Sequence, residues 1–366
     1  YYVHGDITAT MNFEDNITLY TSIGVWGPFG MHPITGEGVE GFGGGHMLLG
    51  YIRVKNFLGL PINFKLGKQR LLHNNGLVLF DGGEDGAWGL KLCYRQEPVH
   101  LDLFAYRLVE GGGTAYMGTG TESQIKPDMN LYGFRANKDF GKANLDLLIT
   151  AREYTNQLPV WIYLGSSGNP LKSLNYFAGF SYLTGKMGKD TTVSAFAFEL
   201  GASYDLAFGT LGFGTVGFSD GQVNVSGGKT TIKTYESALY GPYTYGFYKW
   251  WVGLGPAHTL RTPYGFALVG FGSIMQNSIN LDLYYAKNLK TSTGPITLRF
   301  DVWKYDKFYA SSGSRDMGFE LAFLLTHTYN DAFTYGFTIG YWKPGDALGT
   351  GVKDQIGGYV FLYSSF

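Results

Sequence analysis

The chain has 366 residues, with 28 basic and 29 acidic side chains and a formal net charge of −1; 17% of residues are aromatic and 55 are glycine. Only 16% are charged, against about 25% in ordinary soluble proteins. These values exclude a basic nucleic-acid-binding protein and a disordered chain, and no apolar run is long enough for a transmembrane helix.

Mean hydropathy is −0.06, near neutral despite the many rings. Transmembrane β-barrels behave this way because only alternate residues face lipid, but a large soluble all-β protein shares the composition. One cysteine, Cys93, rules out an internal disulfide framework. No charged leader or cleavage motif precedes Tyr1, so the numbering is expected to start in a processed or trimmed chain.

Periodicity separates the two classes. In 3–13, Val3, Ile7, Met11 and Phe13 share one face and His4, Asp6, Thr8, Thr10 and Asn12 the other. In 144–152, Leu145, Leu147, Ile149 and Ala151 alternate with Asn144, Asp146, Thr150 and Arg152. The segments 280–285, 297–302, 319–325 and 333–341 repeat the design, which is strand periodicity with one apolar and one polar face. About 17 such strands are predicted: 2–13, 17–27, 46–57, 62–71, 87–96, 100–110, 129–139, 143–154, 158–165, 173–184, 191–204, 209–219, 279–289, 295–306, 316–328, 333–343 and 356–366. Each has roughly the ten residues that cross a bilayer at a tilt. The segment 264–274 is either a further strand or part of a long loop. Bacterial single-chain barrels have an even count, so either one strand precedes Tyr1 or the count is off by one.

Short turns at 14–16, 58–61, 96–99, 140–142, 205–208 and 329–332 alternate with long polar loops at 30–45, 73–85, 110–128, 219–277 and 344–354. That asymmetry marks an outer-membrane barrel with its short side periplasmic. The expected organisation is one transmembrane antiparallel barrel domain over 1–366, with 219–277 its longest extracellular loop. Phe366, preceded by Leu362 and Val360 at alternate positions, is expected to be read by the outer-membrane assembly machinery, although Ser364 interrupts the pattern.

Enzyme signals are poor. The seven histidines form no HExxH pair and Cys93 has no CxxC partner. The glycines of 212–217 spell GxGxxG without a following helix, and Ser194 and Ser203 have no histidine near them in sequence. No enzymatic activity, cofactor or metal is expected. The acidic stretch 81–85 (DGGED) is a candidate cation loop or a solvated tip, and the aromatic run 240–251 is a sugar-stacking mouth or loop packing.

Several stretches, in order along the chain, resemble the alginate-export family of outer-membrane porins. These are 64–71 (FKLGKQRL), 174–185 (LNYFAGFSYLTG), 193–220, 317–320 (MGFE), 341–346 (YWKPGD) and the closing strand to Phe366. The resemblance implies an 18-stranded monomeric barrel, with one strand ahead of Tyr1, that acts as a passive outer-membrane channel. The family's best-known member passes an anionic polysaccharide through an arginine-lined constriction. This chain has far fewer charges, so that substrate is not carried over.

A channel selects through charged rings and pore width. Candidate pore-lining bases, on the face opposite the apolar stripe, are Arg53, Lys55, Lys65, Lys91, Arg95, Arg135, Arg152 and Arg299, with Lys68 or Arg70 according to a kink at Gly67. Candidate acids are Asp102, Asp146, Glu199, Asp282, Asp301 and Glu320, along with Asp6. The alternative role for each is a neutralising pair that stabilises the wall. Phe196, Phe198, Leu281, Leu283, Phe319, Leu321 and Phe337 are predicted to face lipid. The expected function is a porin for passive diffusion of hydrophilic solutes such as saccharides or small organic acids, in the outer membrane of a Gram-negative-type bacterium. The alternative is a structural or adhesive barrel plugged by 219–277. Expected partners are the bilayer with its lipopolysaccharide, the assembly machinery and small solutes, without nucleic acid.

Overall fold

A computed structural model describes residues 2–28, 30–31, 38–39, 43–69, 72–73, 78–80, 87–109, 129–219, 221–235, 238, 277–310, 313–330, 333–349 and 353–364. Seventeen long strands carry the fold. They are β1 (Tyr2–Phe13), β2 (Ile17–Pro28), β3 (Gly43–Val54), β4 (Ile62–Gln69), β5 (Ala87–Gln96), β6 (Val99–Val109), β7 (Met129–Asp139), β8 (Ala143–Tyr154) and β9 (Leu158–Leu171). They continue as β10 (Leu174–Lys186), β11 (Thr191–Leu206), β12 (Gly209–Phe218), β13 (Ser278–Thr291), β14 (Gly294–Lys307), β15 (Asp316–Tyr329), β16 (Phe333–Pro344) and β17 (Gln355–Ser364). Each pairs antiparallel with the next, which makes the fold an all-β meander. No described helix is long and apolar enough to cross a membrane, which says nothing of spanning by strands.

The segment 158–165, whose apolar residues lie on both faces, extends to a full strand of 14 residues, Leu158–Leu171. The candidate strand at 264–274, the aromatic run 240–251, the acidic stretch 81–85 and Phe366 all lie outside the described residues. Loop lengths segregate as expected with two exceptions. The connections at 155–157 and 187–190 are short although they lie on the long-loop side.

The meander curls round a lumen. Val78, between β4 and β5, accepts a backbone hydrogen bond of 2.9 Å from Ala238, which lies between β12 and β13, eight strands further along. Among the described residues the seventeen long strands leave β1 and β17 running in the same direction, and no ladder joins them.

Alternation sorts the side chains. Leu281, Leu283, Phe319, Leu321 and Phe337 are exposed on the outer face, while their neighbours Asp282, Glu320 and Thr338 are buried towards the lumen. Phe196 and Phe198 pack outward against Phe308, with Phe180 stacked on Phe196; Ala195 and Ala197, which alternate with them, face inward and are buried. A largely exposed apolar outer face around a polar-lined interior is stable only when the outside solvent is lipid.

Candidate functional site: the lumen wall

Four arcs of the wall differ in chemistry. The first spans β2 to β5. Arg53 pairs with Lys65 across the β3–β4 ladder, and Lys65 pairs with Lys91 across β4–β5, so three cations stand in one row. The Lys65 ammonium lies 3.6 Å from the centre of the Tyr51 ring, a cation–π arrangement. Tyr51 stacks on Tyr20 at 4.9 Å. Arg53 donates to Thr18 at 3.5 Å, and Lys91 is salt-bridged to Asp102 at 2.8 Å. Arg95 faces inward near the short-turn end and is exposed.

Four candidates on or beside this arc need correction or lie beyond view. Gly67 does adopt φ +127°, and a Cβ there would stand 2.2 Å from the Gly50 carbonyl oxygen, so only glycine fits. Yet the ladder runs through it without a register shift, so alternation is kept and Lys68 falls on the outer face opposite exposed Trp88. Its ammonium donates to the Met47 carbonyl at 2.6 Å, which meets the charge locally as snorkelling lysines do. Lys55 lies beyond the end of β3 in the short turn, exposed and outside the lumen wall. Arg70 and the Asp6 side chain lie outside the described residues.

The second arc, β6 to β12, is apolar towards the long-loop side. Phe104, Leu131, Leu148, Trp161, Leu183, Val216 and Phe218 point inward and pack with Val78, Tyr235 and Ala238. A polar inner face was expected here, and alternation alone misses this layer because both faces of these strands are apolar. The segment after β12 is drawn into it. A hairpin of Val223–Ser226 and Lys229–Ile232 pairs in parallel with 191–193 of β11. Beyond it the Tyr235 hydroxyl donates to Ser181 at 2.8 Å, and Arg152 donates to the Ala238 carbonyl at 3.2 Å while lying over Trp161. Among the described residues, a ring, a hydroxyl and a carbonyl take part in the anchoring.

Below this layer, towards the short turns, the wall becomes polar. Arg135 donates to both oxygens of Asp146 at 2.7 and 3.2 Å. Asn137 and Asn144 exchange side-chain amide bonds, and Tyr163 donates to Glu199 at 3.1 Å. A hollow of about 180 Å³ lies among these groups.

The third arc, β13 to β15, is acidic. Asp282, Asp301 and Glu320 are fully buried. Arg299 reaches both aspartates, at 3.2 and 2.6 Å, and lies over Tyr284. Tyr305 donates to Glu320 at 2.9 Å. One cation thus serves two carboxylates of this arc. No group of three metal-ligating side chains converges among the described residues.

The fourth arc, on β15, β16, β1 and β2, offers hydroxyls. Thr328 bonds Thr334 at 3.0 Å, Thr338 donates to a backbone carbonyl, and Thr18 donates to Asn12 at 3.0 Å. A second hollow, about 580 Å³, sits outside the barrel among Leu211, Phe213, Leu283 and Tyr285 and is apolar.

Ser194 bonds Tyr182 on the outer face, and Asn175 bonds inward-facing Ser203, so neither serine has a histidine partner among the described residues. The GxGxxG glycines lie within β12.

No protein-family model matches the sequence, and no curated protein matches it. Solved structures do. Pseudomonas aeruginosa OccK9 (OpdG) aligns over 99% of this chain and 89% of its own, with a TM-score of 0.59 at 11% identity. A BenF-like porin from Pseudomonas fluorescens Pf-5 aligns over 99% and 90%, with 0.57 at 10%. Pseudomonas aeruginosa OccK2 (OpdF), solved in complex with glucuronate, aligns over 99% and 90%, with 0.55 at 12%. At these identities the likeness establishes architecture: this chain has the fold of the antiparallel outer-membrane porin barrels.

Proposed function

We propose that the protein is an outer-membrane channel through which small hydrophilic solutes, saccharides or small organic acids, diffuse passively. The observation that carries this reading is the combination of an apolar outer face with a lumen wall bearing a basic row on β3–β5 and an acidic arc on β13–β15. These strands lie about half a turn of the barrel apart, so a solute crossing the lumen passes between walls of opposite sign. A barrel of this size encloses a lumen that its wall side chains do not fill by themselves, and the porin fold of the structural neighbours supports the same use. The short turns then face the periplasm and the lipopolysaccharide surrounds the long-loop side. Assembly through the closing strand to Phe366 and a monomeric state belong to the proposal. No enzymatic role is proposed.

Within porins, the sequence resembles the alginate-export family, while the structural neighbours named above are Occ-type channels and a BenF-like porin. The reading needs only the architecture common to both. A long polyanion is a poor substrate, because the acidic arc would repel it.

The inward packing of Tyr235 and Ala238 favours a second reading, a barrel closed by its long loop and valued for its surface. Single-channel recording in planar bilayers decides between them. Discrete conductance steps support the channel; an electrically silent protein, folded and inserted, overturns it.

A further inference from the structure

We propose that the apolar hollow on the outer face of β10–β14 holds one acyl chain of a phospholipid from the periplasmic leaflet, with the lipid's phosphate at Lys287. The inference rests on the orientation given above, with the short turns at the periplasm. The hollow measures about 580 Å³, within the roughly 300–1,000 Å³ of small-molecule clefts. Its side nearer the short turns is one cross-strand row, Leu174, Tyr204, Leu211, Tyr285 and Phe300, paired directly from β10 to β14. Four strand spacings make that row about 19 Å long. The next row runs Tyr176, Ala202, Phe213 and Leu283, so a single methyl stands between two ring-bearing neighbours. Two tyrosines that could fill the space lean away from its centre. Tyr176 shares a hydrogen bond of 2.8 Å with Ser166 on β9. The Tyr285 hydroxyl donates to the Phe208 carbonyl at 2.6 Å, over Gly209, where a Cβ would stand 2.6 Å from the ring.

The hollow is continuous with the face that meets the bilayer, and Leu211, Phe213 and Leu283 stand exposed along it, so its occupant is hydrocarbon there. Its level selects the leaflet. Tyr204 and Leu211 lie two residues from the ends of their strands at the β11–β12 turn, about 7 Å along the chain. Lipopolysaccharide, on the long-loop side, meets the opposite ends of these strands. The mouth selects the lipid class. Lys287 shares the outer face with Leu283 and Tyr285, one alternation nearer the short turns, from where a lysine reaches headgroup level. Lys172, exposed in the turn before Leu174, brings a second cation to the other edge. Asp205 alternates to the lumen side, where it accepts from Thr210 at 2.7 Å, which keeps it from the mouth. Phe208 and Tyr285, tilted together at 6.3 Å, supply the aromatic girdle found at such an interface. A hydrocarbon chain beneath an anionic group is the chemistry that fits an apolar slot opening onto cations.

The test uses the full chain folded in detergent micelles, with palmitoyl-oleoyl phosphatidylethanolamine as probe and native mass spectrometry as readout. Ala202→Trp fills the hollow from a lipid-facing position, Lys287→Gln removes the charge at its mouth, and Ile162→Trp makes an equally outward change on β9, away from it. One phosphatidylethanolamine per barrel is expected to stay bound to the native protein and to the Ile162 variant. Ala202→Trp should weaken retention about 10-fold, the shift expected when about two methylenes lose their place, and Lys287→Gln should weaken it too. No retained lipid, or retention indifferent to Ala202→Trp, overturns the site, and indifference to Lys287→Gln alone overturns the placement of the phosphate. Preferential retention of lipopolysaccharide, lost with Ala202→Trp, overturns the leaflet. A dimer that Ala202→Trp disperses gives the hollow to a second copy and overturns the lipid. Retention is read without conduction, so a conducting barrel that keeps no lipid loses only this site, and a silent barrel that keeps one loses only the channel.

Discussion

Arg53 and Lys65 face each other as direct cross-strand partners in the β3–β4 ladder although both are cations. Like charges so placed destabilise a sheet. The Tyr51 ring beneath Lys65 offsets part of the cost. A repulsive pair of this kind fits a role in passing solute better than a role in holding the wall together.

The first prediction concerns selectivity. The basic row and the acidic arc act on opposite sides of the lumen, and screening at physiological salt extends only about 8 Å, so each wall acts semi-independently. The native channel should select weakly between anions and cations, and Arg53→Ala with Lys65→Ala should shift it towards cations. Reversal potentials in a salt gradient measure this. Strong anion selectivity in the native protein, or no shift in the double variant, would refute it.

Arg299 is the second target. It is the cation shared by the fully buried Asp282 and Asp301. Removing it leaves two buried carboxylates without their counter-charge, so Arg299→Leu should cost about 3–5 kcal/mol. Arg299→Leu combined with Asp282→Asn and Asp301→Asn should recover much of that loss. Urea titration of the folded barrel in vesicles gives both values; equal stability of the single and triple variants would count against the account.

A third expectation follows from the inward segment. Tyr235 and Arg152 help tie it to the wall, Tyr235 by its bond to Ser181 and Arg152 by its bond to the Ala238 carbonyl, contacts each worth on the order of 1 kcal/mol or more. Tyr235→Phe with Arg152→Ala should free the segment and raise single-channel conductance or its flickering. A trace identical to that of the native channel would show that the segment does not limit the path.

The outer face gives the fourth. Leu283 is 52% exposed on β13 and Asp282 beside it is fully buried. If the exposed side meets hydrocarbon, Leu283→Arg should cost roughly 2–4 kcal/mol, read as a lower urea midpoint for insertion into vesicles. A surface facing water would tolerate the change.

Much of this fold lies open in the sequence, because a strand's two faces are written in alternate residues. Leu281, Leu283, Phe319 and Leu321 on one side, with Asp282 and Glu320 between them, fix their own orientation once lipid is the outer solvent. Where both faces are apolar, as at Leu148, Trp161 and Leu183, alternation carries no sign, and only the packing of Val78, Tyr235 and Ala238 against them reveals an apolar layer inside the barrel. Lys68 shows the complementary case. Glycine at 67 looks like a place for the pattern to flip, but the unbroken β3–β4–β5 ladder holds the register and turns the lysine outward. The site divides in the same way. That Arg53, Lys65 and Lys91 belong to the lumen wall follows from local period two; that they form one row depends on inter-strand register, which turns and neighbouring ladders set jointly. The partners of Arg299, the reach of Tyr163 to Glu199 across two glycines and the crossing from Ala238 to Val78 join residues 2 to 160 positions apart. Arg299 and Asp301 meet because they are two apart on one strand face, whereas Asp282 and Glu199 come within reach through ladder register and Val78 meets Ala238 only because the sheet curls round.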